Sequence, residues 1–226
     1  MNEQKMLEAI KDIRKDIMIK SYCSGIEKMD ELIRDLKKDI AIQNVEKSTD
    51  KQALRLIQRL MSKKKGWKYQ KYLHIEDDRM YWTNAYVAFE LKYDDSWVEC
   101  LEVYKEEGYP NIKALFRNNE IVGDHVSLTL TKCDVVYWRK TIDKEDGVQI
   151  IRTVCHDTEG NEFNCAFDVK NLEDLFIILR ADELTLKAKK KTCAGNNIVN
   201  SFVTENEYGK GIVVSVRSFE GGEKNE

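Results

Sequence analysis

The residues best equipped for chemistry stand in a row: Cys155-His156-Asp157 sets a thiol, an imidazole and a carboxylate in succession. A nucleophile and its base must come within hydrogen-bond reach of each other. The surrounding apolar alternation is that of a strand, where neighbouring side chains point to opposite faces, so adjacency keeps this pair apart. The other histidines, His74 and His125, lie far away, and none of the three has a partner at metal-ligand spacing. The six cysteines include no Cys-x-x-Cys pair, and most sit in strand-like apolar stretches. They read as free buried thiols rather than disulfides or zinc ligands. Asp77-Asp78 and Asp94-Asp95 fall in turn-like segments with no organised third ligand. No dinucleotide fingerprint, phosphate-binding loop or His-Glu-x-x-His motif is present. The expectation is a protein that is not an enzyme, holds no metal or cofactor, and works by binding.

The elements that would carry such a binding function are legible from periodicity. Of the 226 residues, 42% are hydrophobic, enough for a core, and 34% are charged, which favours a water-facing surface. The longest apolar runs are about strand length, so no membrane span is expected. The N-terminus lacks the apolar core of a signal peptide, which points to the cytosol. The formal net charge is −3, yet lysines cluster at Lys63-Lys64-Lys65 and at Lys189-Lys190-Lys191. Local basic patches of this kind can hold a phosphate backbone on one face of a mildly acidic protein.

Met6, Ile10, Ile13 and Ile17, then Ile26, Met29, Ile33, Leu36 and Ile40, recur at helical spacing. Residues 1–47 therefore read as a helical hairpin, its stripes packed on each other and on the body, or alternatively as an oligomerisation coil. Residues 51–64 read as a further helix, entered through Ser48, Thr49 and Asp50. Strands are expected at Tyr69–His74 and Met80–Leu91 around a charged turn, then at Val126–Lys132, Val135–Thr141, Val148–His156 and Phe163–Phe167. Residues 93–108 read as another helix, and Val169–Leu179 as a helix followed by strands at Glu183–Lys189, Ile198–Thr204 and Gly211–Ser218. Residues 219–226 read as a flexible tail. The order implies an α+β domain over residues 50–218, made of two halves that each set one helix against an antiparallel sheet.

Three stretches then stand out by order and spacing: Trp82-Thr83-Asn84-Ala85-Tyr86-Val87-Ala88, Tyr109-Pro110-Asn111-Ile112-Lys113-Ala114-Leu115, and Val214-Ser215-Val216-Arg217. Taken together they resemble the bacterial replicative sliding clamp family, the beta subunit of DNA polymerase III. That family has an Ala-Thr-Asp-Gly-His-Arg-Leu-Ala strand, a Phe-Pro-Asp-Tyr segment between domains, and a terminal Met-Pro-Met-Arg strand. Phe167 to Leu179, followed by Asp182-Glu183-Leu184-Thr185-Leu186, is similar to the clamp's Phe-Asn-x-x-Tyr-Leu helix and Val-Thr-Leu strand. Val87 stands where the family has arginine and Ser215 where it has proline. The chain has room for only part of a clamp subunit, and the N-terminal hairpin has no counterpart, as in a shortened, diverged relative.

The resemblance implies a DNA-clamp-like fold and a processivity-factor-like replication or repair accessory protein. Clamps form rings, so a homo-oligomer is implied, and their inner helices hold double-stranded DNA without reading its sequence. Here Arg55, Arg59, Lys63 and Lys64 would face DNA, whereas the helix at 170–179 carries Glu173 and Asp174, with cations at Lys170 and Arg180. The three stretches meet in clamps at an apolar groove for peptides of DNA polymerase and other replication proteins. Position by position the groove would use Thr83, Tyr86, Ala88, Pro110, Leu115, Val214, Val216 and Arg217. The alternative implied is a clamp-fold protein–protein interaction module of a phage or mobile element, without DNA encirclement.

Overall fold

The computed structural model describes residues 27–30, 32–33, 48–62, 67–104, 108–193, 196–198 and 200–216. Residues 27–30 and 32–33 are helical. The rest of the expected hairpin, Lys63, Lys64, Arg217 and the tail lie outside the described residues.

Helix α1 spans Ser48–Met61, where Ala53, Leu54, Ile57 and Leu60 repeat at helical spacing and are buried. A 3-10 turn at Lys68–Lys71 follows, where a strand over Tyr69–His74 was expected; the strand proper is β1, His74–Glu76. Asp77 and Asp78 both take positive φ, 49° and 56°, and join β1 to β2 (Arg79–Thr83) in a two-residue hairpin whose twist needs that geometry. The expected strand Met80–Leu91 is two strands, β2 and β3 (Val87–Lys92). They part at Asn84, whose side-chain oxygen accepts from the Tyr86 and Val87 N–H groups. The helix expected over residues 93–108 is shorter: α2, Asp95–Cys100, capped by Asp94. Helix α3 (Ile112–Asn118), absent from the sequence reading, follows Pro110.

β4 (His125–Thr131) leads into the main departure. Val135–Thr141, expected as a strand, lies within helix α4, Lys132–Thr141. Its β-branched and aromatic residues favour strands. Two capping interactions override them. Thr131 Oγ1 accepts from the Asp134 N–H at 3.2 Å, and the Asp134 carboxylate accepts from the Thr131 N–H at 2.9 Å. At the other end buried Gln149 donates to the carbonyls of Arg139 and Ile142, at 3.0 and 2.6 Å. β5 (Ile150–Asp157), β6 (Glu162–Asp168), α5 (Val169–Ile178) and β7 (Glu183–Lys189) come next. The pair β8 (Lys191–Cys193) and β9 (Asn196–Ile198) precedes β10 (Ser201–Glu205) and β11 (Gly209–Val214).

Among the described residues nine strands form one antiparallel sheet in the order β1-β2-β3-β11-β10-β7-β4-β5-β6. A helix followed by three neighbouring antiparallel strands occurs twice, as α1-β1-β2-β3 and as α5-β7-β10-β11. The third strands of the two sets, β3 and β11, pair antiparallel with Ala88 opposite Ile212, as a two-fold relation between halves requires. The architecture is therefore α+β, two helix-plus-antiparallel-sheet halves joined along one seam. Past β11 the Val216 N–H donates to the Ala166 carbonyl at 2.8 Å, so the far edge strand β6 returns to the end of that seam.

The main core fills the space between the sheet and the helices α1 and α5, around Trp82, Phe89, Phe167, Phe176 and Phe202. Helix α5 lies so close to β11 that a Cβ on Gly211 would sit 2.3 Å from Leu175 Cδ1. At Gly209 the obstacle is backbone: a Cβ would meet the Glu90 carbonyl oxygen at 2.2 Å. Helix α5 ends in a Schellman arrangement, with Ala181 N–H to Phe176 O and Arg180 N–H to Ile177 O. The left-handed residue of that motif is Arg180, at φ 51°, where glycine is usual. Its guanidinium lies between the rings of Trp97 and Tyr208, 4.7 and 4.4 Å from their centroids, and pairs with Asp50 on α1.

Gly209→Ala should destabilise the protein by about 1–3 kcal/mol in urea titration, because a strand backbone must move. Gly211→Ala should cost less, since a leucine methyl can shift; equal costs would show that the β3–β11 approach is looser than described. Arg180→Gly keeps the turn conformation and removes the side chain. Breaking the Asp50 pair costs about 3 kcal/mol, relief of the left-handed strain returns about 1 kcal/mol, and the expected net loss in the same titration is about 2 kcal/mol. A gain in stability would contradict this account.

Candidate functional site

Two surfaces collect the residues singled out by sequence: the outer face of the sheet, and the helix layer on the opposite side. On the outer face the register aligns Thr83, Ala88, Ile212 and Val203 in one row across β2, β3, β11 and β10. Helix α3 crosses this row. Asn111 Oδ1 accepts from the Ala114 N–H at 2.8 Å and starts the helix. Its Ile112 and Phe116, one turn apart, pack on Tyr81, Ala88 and Ile212 as a second small core. Lys113 tethers the start of α3 to Glu76, at 3.1 Å, and to Asp77. At its end the Ser201 hydroxyl donates to Asn119 Oδ1 at 2.6 Å, and Lys189 Nζ donates to the Asn118 carbonyl at 2.9 Å.

Helix α3 therefore divides the outer face. On one side lies an open trough of roughly 930 Å³ with Lys113, Arg117 and Lys187 facing Glu90, Glu183 and Glu205. On the other side lie Tyr86 and Val214, two of the residues expected to form a peptide groove. Leu115 is one turn from Asn119 and so on the Ser201 side, and Ser201 is register partner of Val214. The Val214 N–H donates to the Tyr86 carbonyl at 2.9 Å, which fixes the β2–β3 turn against β11. Thr83 Oγ1 braces that turn by donating to the Val87 carbonyl at 2.9 Å. Tyr86 is 64% exposed and Leu115 38% exposed, while Val214 and Val216 are half-buried. Ala88 is buried beneath α3, so it is floor rather than surface. Pro110 lines a separate recess of about 350 Å³ with His74 and Tyr109.

An aromatic cluster not read from the sequence seats the start of α3. Tyr109 stacks on His74 at 4.7 Å between centroids, meets Tyr69 and Tyr104 at tilted or edge-on angles, and donates its hydroxyl to the Tyr72 carbonyl. Burial pushes the Tyr109 phenol well above its ordinary value, so it stays a neutral donor at any physiological pH. The rings come from segments far apart in sequence, and only the density of tyrosines between Tyr69 and Tyr109 hinted at them.

In the helix layer α5 lies between α1 and α4. Arg55 and Arg59 project from the exposed side of α1. Glu173 and Asp174, the acids on α5, are held within the layer: Arg139 of α4 meets Glu173 at 3.4 Å, and Lys170 meets Asp174 at 3.0 Å. Burial pushes the Asp174 carboxyl up, while Lys170 and Arg59 pull it down. Asp134 is engaged in the α4 cap, whose hydrogen bonds from Thr131 lower its pKa, and Asp50 pairs with Arg180. Arg55, Arg59, Lys132 and Lys140 have no ion pair with the acids of the layer among the described residues. The cations of α4 escaped the sequence reading with the helix itself. Thr131-x-x-Asp134 was the signal that could have found both.

Cys155 is buried and His156 exposed, as strand alternation requires, so the row Cys155-His156-Asp157 does not assemble a nucleophile and base. Asp157 instead holds the β5–β6 turn, accepting from the Glu159 and Asn161 N–H groups and from Lys190 at 2.7 Å. Lys190 and those turn donors keep its carboxyl well below the usual range. Among the described residues no group of three or more His, Cys, Asp or Glu is placed to hold a metal ion. No helix among them is long and apolar enough to cross a membrane.

No protein-family model matches the chain. No curated protein matches it either. Among solved structures it is similar to the DNA polymerase sliding clamp from Bacillus subtilis, with 11% sequence identity and a TM-score of 0.48. The alignment covers 76% of this chain and 63% of that one, so the chain spans less than two thirds of that protein's length.

Phe116 is the larger of the two α3 anchors and is 6% exposed, against 2% for Ile112. Phe116→Ala should cost about 3 kcal/mol and release α3 locally. Amide hydrogen exchange should then quicken across α3 while the β3–β11 amides keep their protection. Uniform quickening would mean that α3 and the sheet unfold as one unit.

Proposed function

We propose that this protein is a non-enzymatic, clamp-like accessory of DNA replication or repair, acting in the cytosol. Its helix layer holds double-stranded DNA without reading sequence, and the outer sheet face beside α3 docks partner peptides, including those of DNA polymerases. The observation that carries this reading is the repeated helix-plus-three-strand unit. Pairing β3 with β11 sets α1 and α5 side by side on one face of a continuous sheet, the arrangement the clamp resemblance implies. Arg55 and Arg59 supply charge without base-reading geometry, which suits phosphate contact that tolerates sliding. Exposed Tyr86 and Leu115 with half-buried Val214 and Val216 offer apolar anchorage for a short extended peptide. Such a ring would need several copies of this chain, so a homo-oligomer belongs to the reading.

A second reading is a clamp-fold protein–protein interaction module of a phage or mobile element, with no DNA encircled. The acids on α5, Glu173 and Asp174, favour it, because they thin the positive charge of the helix layer.

Titration with a short duplex at several salt concentrations separates the two. The first reading expects binding independent of sequence that weakens steeply with salt, with a ring-sized oligomer in sedimentation. Arg55→Ala combined with Arg59→Ala should flatten the log–log salt slope by about 1.8, two phosphate contacts' worth. A monomer without duplex affinity at low salt would leave only the second reading. For the peptide surface, a Gln-Leu-x-Leu-Phe peptide should lose affinity on Leu115→Asp or Val216→Asp. Unchanged affinity in both variants would refute that surface.

A further inference from the structure

We propose that Trp67 is a stacking platform for an unpaired base of single-stranded nucleic acid, with Lys71 as a contact to a neighbouring phosphate. The occupant differs from the duplex assigned to the helix layer, and the site needs neither a ring nor a second copy.

Trp67 is 64% exposed, and among the described residues between Ser48 and Asn84 no other large apolar side chain is exposed. The other tryptophans are spent on packing: Trp82 and Trp97 lie in the core and Trp138 packs against it. The backbone at Trp67, by contrast, is held. It is extended, at φ −70° and ψ 150°, and its carbonyl accepts from the Gln70 N–H at 3.0 Å, which opens the 3-10 turn at Lys68–Lys71. The Gln70 carbonyl accepts in turn from the indole N–H of buried Trp82 at 2.9 Å. Lys68 Nζ lies 5.6 Å from the centre of the Tyr104 ring. The turn is thus fastened to β2 and to the tyrosine cluster, and the Trp67 ring projects from a fixed base. A fixed base limits the ordering cost when a ligand meets the ring.

Charge selects the ligand. Between Asp50 and Glu76 the sequence has no Asp or Glu, while Lys and Arg recur from Lys51 to Lys71, in a chain whose net charge is −3. Lys68 and Lys71, both exposed, follow Trp67 in the turn. A flat ring among cations matches a polymer in which flat bases alternate with phosphates. Within a duplex the bases stack on one another, so a projecting indole finds an open face only on an unpaired strand. An acidic peptide would satisfy the lysines and leave the ring without a flat partner. An anionic bilayer is the competing occupant, but a surface anchor immerses an apolar face of several residues. Here the turn offers a single exposed ring beside lysines and Gln70.

The experiment titrates the full chain with an oligothymidylate across a salt series and follows tryptophan emission. Stacking on Trp67, the most exposed indole, should quench it. Trp67→Ala should weaken binding roughly tenfold and leave the log–log salt slope unchanged, because stacking releases no counterions. Trp67→Phe should recover most of the affinity, which a merely structural role of the indole would not predict. Lys71→Ala should flatten the slope by about 0.7, one phosphate contact on a single strand. Circular dichroism checks that each variant is folded, and phosphatidylglycerol vesicles form a parallel arm. Equal affinity of the wild type and Trp67→Ala for the oligonucleotide overturns the inference, as does the absence of single-strand binding by the wild type. A Trp67-dependent blue shift with vesicles and no quenching by the oligonucleotide overturns it in favour of a membrane surface. Trp67-dependent binding of the single strand supports it whether or not duplex is bound, so its failure and that of the helix-layer reading are told apart.

Discussion

Arg180 carries an ion pair and two ring contacts from a position most proteins give to glycine. It ends α5 in a left-handed turn and accepts the strain of a side chain there. In return its guanidinium reaches Asp50 at the start of α1, Trp97 on α2 and Tyr208 before β11. Burial lowers its pKa somewhat, yet arginine remains charged under any condition in which a protein folds. One residue therefore fixes where the second half's helix stops, where the first half's helix begins, and how the hairpin leading to β11 is held. Asn206 reinforces the same corner by donating to the Leu179 carbonyl at 2.7 Å. The spacing of α1 and α5, and with it the shape of the helix layer, depends on this junction.

The two candidate surfaces are products of one sheet. Apolar residues on its inner side carry α1 and α5, and the face they leave outward is charged because helices of this length bury only one stripe. On its outer side the sheet would expose Ala88 and Ile212, but α3 covers them and confines the remaining apolar surface to a margin along the β2–β3 turn and the end of β11. The trough on the other flank of α3 is lined with charges of both signs. The outer face thus has an apolar and a polar bank separated by a single short helix, and the orientation of α3 decides where the boundary runs.

Much of this was legible in the sequence, and the failures have physical causes. The helix at Ser48–Met61 and the strand-helix-strand run from Glu162 to Lys189 were readable because burial on one face imposes an unbroken period. The Asn84 turn was hidden inside a stretch that reads as one strand, where the polar pair Thr83-Asn84 is the single mark of a break and the side-chain hydrogen bonds of the asparagine make it. At Val135–Thr141 local β-preference pointed one way while a capping box and the distant Gln149 pointed the other, and the caps won. The resemblance implied a groove that includes Tyr86, Leu115 and Val214, of which the structure shows the Val214 N–H bonded to the Tyr86 carbonyl; the role of Ile112 and Phe116 as a lid on Ala88 was not legible. It depends on register across four strands, which no single stretch encodes.

The seam between β3 and β11 also has a temporal side. Val87 and Val213, which face each other across it, are separated by over half the length of the chain. During synthesis β3 is complete long before its neighbour exists, and of the described strands β11 is the last to appear. Until then β3 presents an unpaired edge, the kind of surface through which nascent chains aggregate or exchange strands. Contacts of such separation are slow to form. The first half must wait, with its sheet open along the middle, for the final strand to close it. Shielding of that edge, by the cell's chaperones or by a second nascent copy, would then govern yield of the folded protein more than its final stability does.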